Sequence, residues 1–249
     1  MRFSKWMWSM GLLAIASLGW AQGPDQVCNV NVTTPKPGGS KLFEEARTKH
    51  NLFHKAEKDK NAILVWQILT GPATGKYLTA TCGQTWKEMD GLDAMNARDE
   101  ADRQRTITPA AASSEASYYI FRADLSTGKE GGTPAKMMTV THFFVKPSGV
   151  AQFTDNIKRI NAAVDKTKYP SKPSRWYQLV NGGEGPHYVL VSDRNSWADM
   201  QGPEKTMVDM LKEAYGSDDK TLQALRECYD HTVSELLEYK AALSYVPAK

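Results

Sequence analysis

One order of rare residues occurs twice in this chain, and that repetition constrains the fold more than any other feature. Lys36-Pro37-Gly38-Gly39 and Phe43 recur as Lys146-Pro147-Ser148-Gly149 and Phe153, at an offset of about 110. Trp66 matches Trp176. After one inserted residue, Tyr77, Trp86, Met89 and Gly91 match Tyr188, Trp197, Met200 and Gly202. Every tryptophan beyond residue 21 is thereby paired, and two copies point to a duplicated unit rather than a solenoid. The copies also end alike, Tyr119–Ser126 resembling Leu237–Ser244, and both endings read as closing strands.

Each copy follows one order of patterns. A short alternating run (Val30 and Val32; Val140 to Val145) leads into a Pro-Gly turn. A helix follows, clearest where Phe153, Ile157, Ile160 and Val164 share a face. Two strands then form a hairpin: 63–69 with 77–82, and 175–180 with 188–192. A helical stretch broken by Gly91, Gly202, Pro203 and Gly216 comes next, opened by Trp86 or Trp197, whose equivalence suggests a packing role. This β-α-β-β-α-β order leaves one sheet face bare, and two units can cover each other. The expected fold is therefore α+β: two tandem ferredoxin-like βαββαβ units packed sheet to sheet as an intrachain pseudo-dimeric α/β barrel, monomeric as a whole. Thr127 to Pro134 has linker composition, which sets the units at 22–134 and 135–249.

The chain resembles the dimeric α/β-barrel superfamily, including its NIPSNAP-like and antibiotic-biosynthesis-monooxygenase-like groups. The residues that carry the likeness are the Lys-Pro-x-Gly turns at Lys36 and Lys146, Trp86 and Trp197, and Leu125-Ser126 with Leu243-Ser244. The resemblance implies a fold; its activities range from cofactor-independent oxygenation to haem handling, so it selects no reaction and no cofactor.

Residues 1–21 read as a secretory leader: Arg2 and Lys5, an apolar run through Leu18, then Gly19 and Ala21. Cleavage after Ala21 and a periplasmic or secreted destination are expected, with no membrane span thereafter. Without Arg2 and Lys5, 29 basic residues face 28 acidic ones, and no basic block appears. That balance argues against nucleic acid. In the split fold the start of the first strand lies beside the end of the third, which makes a Cys28–Cys82 disulfide geometrically feasible and leaves Cys228 unpaired.

No catalytic set is legible, and the glycine-rich loops 71–75 and 181–186 are hairpin turns rather than phosphate loops. His142, Trp66, Trp176 and Tyr188 are expected to line a space between the sheets suited to a small apolar or aromatic ligand, with packing as the alternative for these residues; a cofactor-independent monooxygenase-like enzyme and an envelope protein-interaction module are the other two readings of the chain. His187 begins a strand beside Gly185 and Pro186 and reads as a loop-edge residue, and His231 reads as the end of a helical run. His50 and His54 share a helix face where the second copy carries Ile160 and Val164. They can pack, or offer two imidazoles to a metal, with a third ligand from Glu57, Glu45 or a residue across the fold.

Overall fold

The computed structural model describes residues 25–247; the leader expected at 1–21 lies outside them. The chain runs β1 (Val27–Pro35), α1 (Ser40–Ala56), β2 (Leu64–Ile68), β3 (Tyr77–Gln84), α2 (Trp86–Asp90), α3 (Asp93–Thr106) and β4 (Ala111–Phe121). It continues β5 (Met137–Val145), α4 (Val150–Thr167), β6 (Ser174–Asn181), β7 (His187–Arg194), α5 (Met207–Tyr215), α6 (Thr221–Glu227) and β8 (Tyr229–Tyr239). All strand pairs are antiparallel, and they close into one barrel in the order β1-β3-β2-β8-β5-β7-β6-β4. Each half contributes a run of four in the ferredoxin-like order, β4-β1-β3-β2 and β8-β5-β7-β6. The runs join edge to edge, so closure leaves no strand edge exposed.

The two seams are built from corresponding residues. Trp66 pairs with Tyr239 across β2 and β8, and Tyr177 with Phe121 across β6 and β4; both aromatic pairs have ring centroids 5.7 Å apart. Beyond each closing strand the chain reaches over the other half. Ser244 Oγ accepts from Val65 N and Ser126 Oγ from Trp176 N, while Asn51 donates to the Leu243 carbonyl and Asn161 to that of Leu125. The buried Leu243 packs with Phe43, Val65 and Tyr77 beneath α1, and the buried Leu125 with Phe153, Trp176 and Tyr188 beneath α4. The Leu-Ser endings are thus docking tails, not strands: β4 and β8 begin earlier, in exposed stretches such as Ala112–Ala116, whose small polar residues hide the alternation that marks a strand.

These correspondences shift one expected match. Val65 and Trp176 occupy equivalent places, and Trp66 corresponds to Tyr177, because the inserted residue falls between helix and second strand. A one-residue slip turns a strand side chain to the opposite face. Trp66 therefore faces the barrel interior with Ile68, Ala80, Met138, Val140, Val189, Val191 and Leu237, whereas Trp176 faces the helices.

The repeated turns have local causes. A side chain at Gly39 would meet the Lys36 carbonyl at 2.9 Å, and one at Gly149 the Cys228 carbonyl at 2.7 Å, so both helices start on glycine. Thr85 with Glu88, and Ser196 with Asp199, form capping boxes around the repeated tryptophans. Trp197 does not pack as expected: it is exposed, and Trp86 is partly so, resting near Tyr118. Residues 122–136 hold no helix or strand but are anchored, Tyr177 donating to Glu130 and Gly128 N to the Ser174 carbonyl. No described helix is long and apolar enough to cross a membrane.

Candidate metal centre in the first helix layer

The helix seams of the two halves differ in kind. In the second half Ile160, Ala163, Met210, Leu211 and Ala214 make an apolar cluster between α4 and α5. In the first half the corresponding seam joins α1 to α3, whose sequence DAMNARDEADRQRT has no apolar stripe. A polar network holds the two helices together instead.

His50 and His54, one turn apart on α1, are both buried. Asp102 Oδ2 lies 2.7 Å from His50 Nδ1, and Asp59 Oδ2 3.0 Å from His54 Nδ1. A carboxylate on the Nδ1 side fixes the N–H there and turns the Nε2 lone pair the other way. The two Nε2 atoms are 3.1 Å apart, and Asp99 Oδ1 lies 3.0 Å from one and 3.4 Å from the other. Asp99 Oδ1 is itself shut off from solvent without a hydrogen bond of good geometry. Three potential donor atoms thus converge on one point, where a metal ion, or a proton carried by one imidazole, relieves their mutual repulsion. Burial, and then the neighbouring His50, hold the His54 imidazole below its ordinary pKa, which favours the neutral form that ligates.

The third donor is Asp99 on α3, not Glu57, which pairs with Arg98, and not Glu45. Asp99 and Asp102 stand three apart on a helix without periodicity, and only the packing of α3 on α1 reveals them. Beside the donors lies a cavity of about 120 Å³ between the helices and the outer sheet face, lined by Asn29, Asn31, Thr79, Thr81, Arg47 and Arg103 among others.

The residues expected between the sheets do not come together. Trp66 and His142 face the interior; Trp176 and Tyr188 lie in the helix-side core with Phe153. His142 Nδ1 is 3.0 Å from His187 Nε2, and its Nε2 is 3.9 Å from Glu235. His187 opens β7, the strand start expected for it, but is buried rather than at a loop edge, and is held near a pKa of about 4 by burial and then by His142. His231 lies in strand β8, not at a helix end, and stacks on Phe144. Cys28 and Cys82 are direct partners on β1 and β3 with Cα atoms 4.0 Å apart and sulfurs at bonding distance, while Cys228 is a buried free thiol whose pKa burial raises.

The chain's architecture has solved counterparts. An anthrone oxidase-like protein superposes with a TM-score of 0.59 at 14% identity, over 92% of this chain and 95% of that one. A monooxygenase-like protein from Lactobacillus acidophilus NCFM gives 0.53 at 8% over 90% and 97%, and a mutant chlorite dismutase from Candidatus Nitrospira defluvii 0.51 at 9% over 87% and 92%. The fold is that of the dimeric α/β barrels. At these identities the likeness is one of fold alone. No family model matches the sequence, and no curated protein does.

Proposed function

We propose that this protein is a divalent-metal protein whose mononuclear centre is His50, His54 and Asp99. One observation carries the reading: three donor atoms within 3.4 Å of one another, each imidazole oriented by its own carboxylate. Two histidines and one carboxylate suit a first-row ion such as Fe(II), Zn(II) or Co(II), and three protein ligands leave positions open, as in catalytic rather than structural sites. The reading replaces a ligand between the sheets, since Trp66, Ile68, Met138, Val140, Val189, Val191 and Leu237 pack together in the middle of the barrel.

The test is a titration of chelator-treated protein with Co(II) and Zn(II), followed by visible absorption and by melting temperature. The wild type is expected to develop cobalt ligand-field bands. At a hundredfold excess over Kd, binding contributes about 2.7 kcal/mol, a rise of roughly 5–10 °C for a chain of this size. Asp99→Ala and His54→Ala should lose both signals; variants that respond like the wild type would overturn the assignment.

The reciprocal tails and seams support reading the two halves as a duplicated unit folded as an internal pseudo-dimer, a monomer overall, within the NIPSNAP-like and monooxygenase-like part of the superfamily. The 1–21 leader supports export, in which an oxidised Cys28–Cys82 pair is at home. Sequencing the exported protein should find Gln22 first; an intact Met1 would refute export.

A further inference from the structure

We propose that the cavity beside this centre binds a small oxyanion of carboxylate or carbonate size, taken jointly by the metal and Arg47; the inference rests on the metal reading above. Arg47 is 4% exposed, lines the cavity, and forms no ion pair among the described residues. Its Nε reaches only a carbonyl, that of Leu243, at 3.4 Å, and its Nη2 is buried with no hydrogen-bond partner. A guanidinium buried without an anion is costly, and its fork matches two oxygens of a carboxylate-like group. At the corresponding place in the second half stands the buried apolar Ile157, so the fold itself requires no charge here.

The charge balance leads to the same ligand. Around the two imidazoles, Asp59, Asp99 and Asp102 together with Glu100 carry four negative charges, and Arg47, Arg103 and Arg105 three positive ones, one negative charge in excess. A divalent ion turns that into one positive charge in excess at an open coordination site, and a single monoanion restores neutrality. A volume of about 120 Å³ accommodates an anion of this size, and the amides of Asn29 and Asn31 with the hydroxyls of Thr79 and Thr81 supply further polar partners.

The experiment uses the full mature chain loaded with Co(II), titrated with sodium formate at constant ionic strength and followed by the cobalt bands. Saturable perturbation is expected in the wild type. Arg47→Gln should keep its cobalt bands and weaken formate binding at least tenfold, with Arg47→Lys intermediate. Formate affinity unchanged in Arg47→Gln would overturn the anion site and leave the metal centre standing, as would no response to formate in the cobalt-loaded wild type. Should Arg47→Gln fail to fold, judged by circular dichroism, Arg47→Lys carries the comparison. Should the wild type bind no cobalt, the metal reading fails; calorimetric titration of the metal-free wild type and Arg47→Lys with formate then decides the anion site, and absent or identical binding would overturn it.

Discussion

At the scale of single residues, the centre depends on atoms that touch no metal. Asp102 and Asp59 orient the imidazoles through Nδ1, and such partners are worth about 10- to 100-fold in metal affinity. Asp102→Ala is therefore expected to weaken Co(II) binding by about that factor while preserving the shape of the cobalt spectrum, and a spectral titration reads both. His187 gives a separate prediction. Its folded pKa of about 4 lies below the ordinary histidine value of 6.5, so the unfolded chain takes up the proton first. Stability should be undiminished above about pH 6.5 and fall as the pH drops toward 4, with a slope from this residue approaching about 1.4 kcal/mol per unit. Urea titrations in chelator across that window should show a shallower fall for His187→Gln; an unchanged slope would mean the imidazole is protonated in place.

At the scale of elements, the docking tails hold the halves together. Leu243 and Leu125 are buried beneath the helix of the opposite half, and Leu→Ala at such sites costs about 2–5 kcal/mol. Each single variant should lose stability in that range, measured by chemical denaturation, whereas Leu42→Ala on the exposed face of α1 should stay within about 0.5 kcal/mol. Much of the element order was legible because it rests on local patterns. Alternation gave β1 and β5, the paired runs joined by glycine-rich loops gave β2, β3, β6 and β7 within a few residues, and Phe153 to Val164 gave α4. What escaped was set by tertiary packing. The first halves of β4 and β8 are exposed and small or polar, so no alternation marks them. The register of Trp66 against Trp176 depended on where one inserted residue lay, and either placement fits the sequence. His50 and His54 stood out because their counterparts are apolar. Asp99 did not, because a helix polar on every side offers no face to read, and its meaning comes only from the neighbour it packs on.

At the scale of the whole molecule, one architecture has two unlike halves. Closure needs both, since β2 finds its second partner in β8 and β4 in β6. Residues 22–134 expressed alone should therefore associate or precipitate, because they expose two unpaired strand edges and the apolar residues that face the barrel centre; a stable, soluble monomer by sedimentation would contradict this. The asymmetry bears on function. The second seam is apolar where the first holds His50, His54 and Asp99, so a molecule with twofold-like architecture should carry one metal rather than two. The most direct measurement is elemental analysis of protein purified from its own host without chelator and of refolded protein saturated with metal and desalted. One first-row divalent ion per chain is expected in the saturated protein, with enrichment of that element in the native preparation and loss of both in the His50→Ala, His54→Ala double variant. Two ions per chain, or a content unchanged in the double variant, would contradict this.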